Sequence, residues 1–545
     1  MDNSRSYIDH KYIVIGSGCS GAMAAQTLVD SGVDVGMLDV GFTGNGEELH
    51  IPDADFVTAR TSDASQHKYL IGSAFDGISF GQVESGSQLT PPRKHLIHRA
   101  DELIPIDSAE FKPTESLAIG GLGSGWGLGC YVYNEKEAEL CGLNFTEIEA
   151  AYKEISGRIG ISAAHDDDNA KHLLGGITNT LGPLDTDNSV VKVIQKYKKR
   201  RAYFQKRHAT FGRPAMAMLS TNFAGREATR YDDFDFYTDR HKSAYRPCIT
   251  IDALRTKPNF AYHNDILVLA FSEVDCRVRV EFVNVKTSAR GFAFCDKLLI
   301  CAGALGTARI VLRSASEQLT ELPVLCNSYS YLTCINKAMK GKALDQRKTS
   351  MAQAMLIYDE GGKGTDIVTC SLYTYRSLLM QRTIGSVPLN LKNGRKIMRD
   401  LLPAVVLAGI HHPDNAEGEK KLSLEKCDNS VSGDRLSVIF RPTEKAKSDR
   451  KIREKQIRRF LRKLGCTPVM RIDPGYGSSI HYAGTVPFSD SEATGTCQRT
   501  GRLNGYNNVF VADSSPFRFL PAKGITLSIM AFAHLVAKKS LESES

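Results

Sequence analysis

Three groups of residues have the types and spacing to do chemistry. The first is Gly16-Ser17-Gly18-Cys19-Ser20-Gly21, set between the apolar run Lys11–Ile15 and the small, apolar stretch 22–29. Gly-x-Gly-x-x-Gly at a strand-to-helix turn is a dinucleotide fingerprint. Its first glycine makes the turn, its second lets a pyrophosphate approach the backbone, and its third lets helix and strand touch. The helix N-terminus then faces the phosphates. Asp39, at the end of the next strand-like run (33–40), is placed to take ribose hydroxyls. The second group is GGLGSGWGLG at 120–129, with glycines at 120, 121, 123, 125, 127 and 129 alternating with Leu122, Trp126 and Leu128. A flexible linker would be polar and Ser-rich. This block instead reads as a backbone bed on which a planar ring can lie, its amides free to meet ring heteroatoms. Trp126, the only tryptophan, either packs in the core or stands beside the ligand. The third is His411-His412-Pro413-Asp414: paired histidines could reach a substrate from the second lobe, but adjacent residues rarely share one ligand, and the stretch reads as a surface turn.

The elements that must position these groups follow from periodicity. Residues 11–40 read as β-turn-α-β. Residues 45–115 read as loops and short strands. Helices are predicted at 145–159, with Ile148, Tyr152, Ile155 and Ile159 inward, at 192–207, and at 448–464. The last has Ile457, Phe460, Leu461 and Leu464 inward and a Glu454–Arg458 pair outward. Asp166–Asp168 reads as an exposed turn. Strand-like segments recur from 260 to 302 and run through Gly303-Ala304-Leu305-Gly306 into a helix, while 320–440 reads as a second lobe. A short strand at 508–513 precedes a long apolar helix from Thr526.

Composition excludes several classes. With 545 residues, 42% apolar and 24% charged, the chain is globular and long enough for several domain-sized units. A net charge of +8 spread over so large a surface gives no case for nucleic acid. The basic stretches 196–207 and 450–463 read as the solvated faces of helices. Thirteen cysteines with no Cys-x-x-Cys pair offer neither a disulfide framework nor a zinc site, so no metal is expected and a reducing, cytoplasmic compartment fits. No apolar run is long enough to span a bilayer and the polar start does not read as an export signal, so neither membrane insertion nor export is expected.

The acid at 39 does not separate NAD from FAD. The placement of the fingerprint at the front of a long chain, without a second one, tilts toward an extended FAD. Five blocks in order then resemble the glucose-methanol-choline (GMC) family of flavoprotein oxidoreductases: IVIGSGCSG (13–21), IGGLGSGWG (119–127), KLLICAGALGTARIVLRS (297–314), HYAGT (481–485) and NVFVADSSPF (508–517), the last continuing into GITLSIMAFAHLVA. The resemblance covers essentially the whole chain. It implies an α/β fold: a Rossmann-like FAD-binding domain assembled from 1–150, 245–320 and 465–545, and an α+β substrate-binding lobe built on a sheet from 151–244 and 321–464. It implies that Gly16, Gly18, Cys19, Ser20 and Gly21 hold the pyrophosphate and Asp39 the ribose. Gly121, Leu122, Gly123, Ser124, Trp126 and Gly127 would lie along the flavin. Ala302, Gly303, Asp513 and Thr526 would complete the cofactor site. His481 would be the catalytic base, taking the proton of an alcohol whose hydride passes to flavin N5, a task suited to a side chain that titrates near neutrality.

Two departures stand out. The family usually has Asn or His where this chain has Gly524. The neighbouring Lys523 either donates to an alkoxide or points to solvent. And where some relatives attach the flavin through a histidine, this chain has Gly125, so a non-covalent FAD is implied. The expected activity is oxidation of a CH–OH group in a sugar, polyol or secondary-metabolite alcohol, with oxygen or another acceptor taking the electrons. A lyase-like or light-driven decarboxylase chemistry on the same fold, or a non-enzymatic flavin-containing binding protein, would leave the same blocks. Oligomeric state is not legible.

Overall fold

The computed structural model describes residues 8–44, 62–65, 91–231, 241–315, 318–343, 345, 349, 351–374, 393 and 400–542. Part of the loop-and-strand reading of 45–115 lies outside these. The chain begins with β1 (Ile8–Ile15), α1 (Cys19–Asp30) and β2 (Val35–Leu38), followed by α2 (Phe145–Ile159), α3 (Asn188–Gln205) and β3 (Ala209–Gly212). Next come β4 (Phe260–His263), β5 (Ile266–Val274), β6 (Arg277–Asn284), β7 (Arg290–Ile300) and α4 (Gly303–Ser314). The second lobe supplies β8 (Ser328–Asn336), β9 (Ala354–Asp359), β10 (Ile367–Tyr373), β11 (Val405–His412), α5 (Glu444–Leu464) and β12 (Cys466–Ile472). The chain closes with β13 (Val509–Val511) and α6 (Thr526–Glu542).

The fold is α/β. The first sheet runs β4-β2-β1-β7-β6-β5, with β13 also on β7. Strands β4, β2, β1 and β7 are parallel, while β6 and β5 form an antiparallel hairpin on the far side. β7 is long enough to serve two neighbours on one edge: its first half pairs with β6 and its last residues, Leu298 to Ile300, pair with β13. A segment some two hundred residues downstream is thereby pinned beside the dinucleotide turn. β1 from Tyr12 to Ile15 and β2 throughout are apolar and buried, as strands covered on both faces must be. α1 presents Ala22, Ala24 and Ala25 without exposure, and these small side chains let α6 pack against it.

The second sheet is antiparallel in the order β12-β8-β11-β10-β9-β3. Its strands alternate strictly. Leu332, Cys334, Val368, Cys370, Leu372, Val406, Ala408 and Ile410 face α3 and α5, where they meet Tyr197, Phe204, Ile457, Phe460, Leu461 and Leu464 in one core. The intervening residues face the other way, toward the first sheet's glycine turn. β12 pairs in this sheet, so the run from 465 begins in the second lobe and crosses back only after Ile472. A further four-stranded sheet draws Ile106–Asp107, Glu321–Pro323, Glu419–Lys426 and Asp434–Arg441 together from both halves of the chain. Among the described residues no helix is long and apolar enough to cross a membrane.

Candidate active site

A cleft of about 380 Å3 runs from the glycine turn to the inner face of the second sheet. At its first end the three glycines divide their tasks as the fingerprint requires. Gly16 turns with φ +91°. A Cβ on Gly21 would stand 1.9 Å from the Gly16 carbonyl oxygen, whereas a Cβ on Gly18 would meet nothing within 4 Å. Gly21 is therefore a packing requirement, and Gly18 faces open space. α1 starts at Gly18 with no side-chain cap and no acid in its first turn, so its N–H groups and the positive end of its dipole face the cleft unopposed. Two guanidiniums border the same cleft, but each already grips a carboxylate: Arg309 holds Glu115 at 2.7 and 2.8 Å, and Arg313 holds Asp434 at 2.7 and 2.6 Å. A pyrophosphate would be met there by backbone amides.

Asp39 ends β2 at the cleft wall. Its Oδ2 accepts from the Ser17 hydroxyl and, at 2.7 Å, from Tyr262 on β4. Ser17 in turn accepts from the Gly120 N–H at 2.8 Å, which ties the two glycine segments together. Burial raises the Asp39 carboxyl to about 6, against the pull of those two hydroxyls, and ribose hydroxyls would stabilise its charged form further. Gly121, Leu122, Gly123, Trp126 and Gly127 line the cleft beyond it, as do Cys19, Ser20, Ala302, Gly303, Asp513 and Thr526. Gly123 leaves no room for a side chain, because a Cβ would lie 2.6 Å from both Cys19 Sγ and Pro247. Burial pushes the Cys19 thiol up to about 12, so it is neutral. Asp513 accepts from Thr307 at 2.6 Å and from the Ser515 N–H at 2.8 Å. Trp126 satisfies both readings at once: its indole N–H donates to the Tyr245 carbonyl at 2.9 Å while the ring borders the cleft. The uncapped helix, the unfilled space at Gly18 and Gly127 and the buried acid at the ribose position together fit an extended dinucleotide.

Ser124 departs from expectation. Its hydroxyl donates to the Ile119 carbonyl at 2.7 Å, closing the turn instead of facing the cleft. Lys523 departs further. It is fully buried, donates to Glu137 at 2.7 Å and to the Val132 carbonyl at 3.0 Å, and borders no part of the cleft. Glu137 also accepts from the Asn134 N–H as part of a helix-capping box. The lysine therefore neutralises a buried carboxylate and stands outside the cleft that a substrate would enter.

At the other end stands His481. Its Nδ1 lies 3.1 Å from Asn327 Oδ1. The Asn327 amide nitrogen sits among the carbonyls of His412, Leu520 and Pro521 at 2.8 to 3.2 Å, which fixes the amide's orientation and makes Oδ1 the acceptor. His481 must then carry its proton on Nδ1, leaving the Nε2 lone pair free. Burial lowers its pKa from 6.5 to about 4, so the ring is neutral at physiological pH. Around it the second sheet turns in Tyr329, Tyr331, Thr369, Ser371, Tyr373 and His411, with Tyr131 and Gly524 completing the described wall. His411 and His412 are on a central strand and not in a turn. Successive strand residues face opposite ways, so His411 enters the cleft while His412 is buried behind the sheet, 4.0 Å from Glu454. Sequence spacing did not single out Asn327, the tyrosines, Ser17 or Tyr262; only a correct register for β8 and β10 would have found most of them.

Residues 441–533 match the C-terminal domain of the family described as GMC oxidoreductase. Over that segment the chain is similar to the GMC oxidoreductases. Paromamine 6'-oxidase of Streptomyces fradiae is 22% identical over 547 residues, covering 96% of this chain and 90% of that one. The fold matches the crystal structure of pyridoxine 4-oxidase from Mesorbium loti with a TM-score of 0.56 and 14% identity, over 97% of this chain and 98% of the other. The glycine cradle and His481 occupy the two ends of the cleft.

Proposed function

We propose that this enzyme binds FAD non-covalently along the cleft and oxidises a CH–OH group on a ring-bearing small molecule to the carbonyl, with His481 as the base. The observation that carries the reading is the Asn327–His481 hydrogen bond, which leaves a neutral imidazole with its free Nε2 in the same cleft as the dinucleotide cradle. When bound, FAD supplies a two-electron acceptor for the hydride of the carbinol carbon. The protein's part is to hold the alcohol with its hydroxyl at His481 Nε2, which takes the hydroxyl proton as the carbon–hydrogen bond breaks. Asn327 keeps the imidazole in one orientation and stabilises the proton on Nδ1. Tyr131, Tyr329, Tyr331 and Tyr373 give flat walls on which a ring can lie and from which water is excluded.

Two relatives named for the oxidation of paromamine and pyridoxine support a polyhydroxylated or heteroaromatic ring as the substrate scaffold, and both being oxidases supports dioxygen as the final acceptor. We assign the cradle to residues 1–150, 245–320 and the part of 465–545 after Ile472, and the chamber to the remainder. Thirteen free thiols, most of them buried, support a reducing compartment such as the cytoplasm.

The test is an anaerobic absorbance spectrum, followed by a panel containing paromamine, pyridoxine, sugars, polyols, steroids and aliphatic alcohols. A flavin band near about 450 nm that bleaches with a ring-bearing alcohol, and FAD released into solution on acid precipitation, are expected. A flavin that stays oxidised against the whole panel would overturn the assignment.

A further inference from the structure

The proposed oxidation places a demand on the reacting oxygen that His481 alone does not meet. His481 has one nitrogen to offer, because the other is committed to Asn327. An alkoxide forming in the chamber needs a second polar partner aimed at it. Position 524 faces the same space but is glycine, and Lys523 is spent on Glu137. The tyrosine hydroxyls are largely engaged: Tyr329 interacts with Tyr331 and Tyr373, and Tyr131 turns its hydroxyl over Gly129.

His411 is differently placed. Its ring lies against that of His481, with centroids 5.1 Å apart and planes 22° from parallel. Tyr329 backs it, at 4.1 Å and 31°. It borders the cleft, and no side chain or carbonyl among the described residues hydrogen-bonds its ring nitrogens. Two hydrogen bonds to one oxygen span up to about 5.6 Å, which covers the ring-to-ring spacing. We propose that His411 is a second catalytic histidine, whose ring N–H holds the substrate oxygen beside His481 and stabilises the alkoxide as the proton leaves. No proton moves to His411. It donates one hydrogen bond, His481 keeps the proton, and the hydride leaves from carbon. The role comes from the central strand of the substrate sheet, and it rests on the alcohol-oxidation reading above.

The probe is 2,2,2-trifluoroethanol, a small alcohol with an acidic hydroxyl and a carbon that resists oxidation. It is titrated into oxidised holoenzyme and followed by perturbation of the flavin spectrum. His411→Phe keeps the stack on Tyr329 and His481 but removes both nitrogens, whereas His411→Gln restores a hydrogen-bonding group. We expect wild type to titrate, His411→Phe to bind the probe ~10-fold more weakly, and His411→Gln to fall between. With paromamine or pyridoxine, whichever bleaches the wild-type flavin, His411→Phe should lower kcat for flavin reduction more than it raises KM. Equal affinity for trifluoroethanol in wild type and His411→Phe would overturn the proposal, as would a wild type whose spectrum the probe does not perturb. Normal titration with no bleaching by any alcohol would instead sink the oxidation reading while leaving His411 as an oxygen ligand.

Discussion

The two ends of the cleft are built on opposite plans. The end at the glycine turn is made of backbone: Gly16, Gly18 and Gly21, the glycines from 120 to 127, and the bare N-terminus of α1. The end at His481 is made of side chains delivered by different strands, such as His411 from β11, Tyr329 from β8 and Thr369 from β10. The His481–Asn327 contact there joins positions 154 residues apart. A backbone site tolerates almost any neighbouring chemistry but no added volume. A side-chain site tolerates drift in volume but depends on strand register, since a one-residue slip would send His411 behind the sheet and His412 into the cleft.

The largest effect expected from breaking this division is at the third glycine. Gly21→Val places carbon where the Gly16 carbonyl oxygen is 1.9 Å away, so β1 and α1 must part. The variant should purify without flavin or fail to fold, as read from the ratio of flavin to protein absorbance. A flavin-replete Gly21→Val would show that the turn has slack the geometry denies.

A smaller effect sharpens where the chamber ends. Lys523→Met leaves Glu137 buried and without its cation, a loss of about 3–5 kcal/mol in systems of this kind, read as a lower urea midpoint. The pair Lys523→Met with Glu137→Gln should recover much of it. Flavin reduction by folded Lys523→Met should match wild type, whereas a specific fall in that rate would return the lysine to the chemistry.

The smallest effect is on pH dependence. Burial holds His481 neutral down to about 4 and holds His411 well below its usual range. The unfolded chain takes up protons at these histidines near 6.5 that the folded chain does not, so stability is lost as pH falls from about 6.5 toward 4. Flavin reduction should stay flat from pH 8 to about 5 and fall only as His481 is protonated. A rate that halves near pH 6.5 would place the base elsewhere or in a wetter site.

Legibility in sequence follows the same division. Glycine spacing states backbone shape directly, so β1, α1 and the cradle could be read in place. The inward face of α5 could also be read, because Ile457, Phe460, Leu461 and Leu464 recur with the helical period. Charged residues misled wherever a distant partner recruited them. Glu454 turns from Arg458 to accept from Ser330 at 2.8 Å and from Arg471 at 2.8 and 3.0 Å. Asp167 accepts from the Arg213 backbone and guanidinium, and Asp168 from Tyr197 and Arg201, so the acidic turn is partly structural. The aromatics of α3 that could have interleaved with nucleic-acid bases, Tyr197 and Phe204, are buried in the core behind the second sheet. Lys523 went astray for the same reason, since its partner at 137 is invisible from position 523. Gly524 stands where the family usually has Asn or His, and only the fold places His411 on the same cleft.

The most direct test of the account is the rate of anaerobic flavin reduction in wild type and His481→Ala, measured by rapid mixing with the alcohol that bleaches the wild-type enzyme. The account predicts full FAD occupancy in the variant and a rate lower by at least ~10²-fold, because the cradle and the base are separate constructions. Unchanged reduction in a flavin-replete His481→Ala enzyme would contradict it.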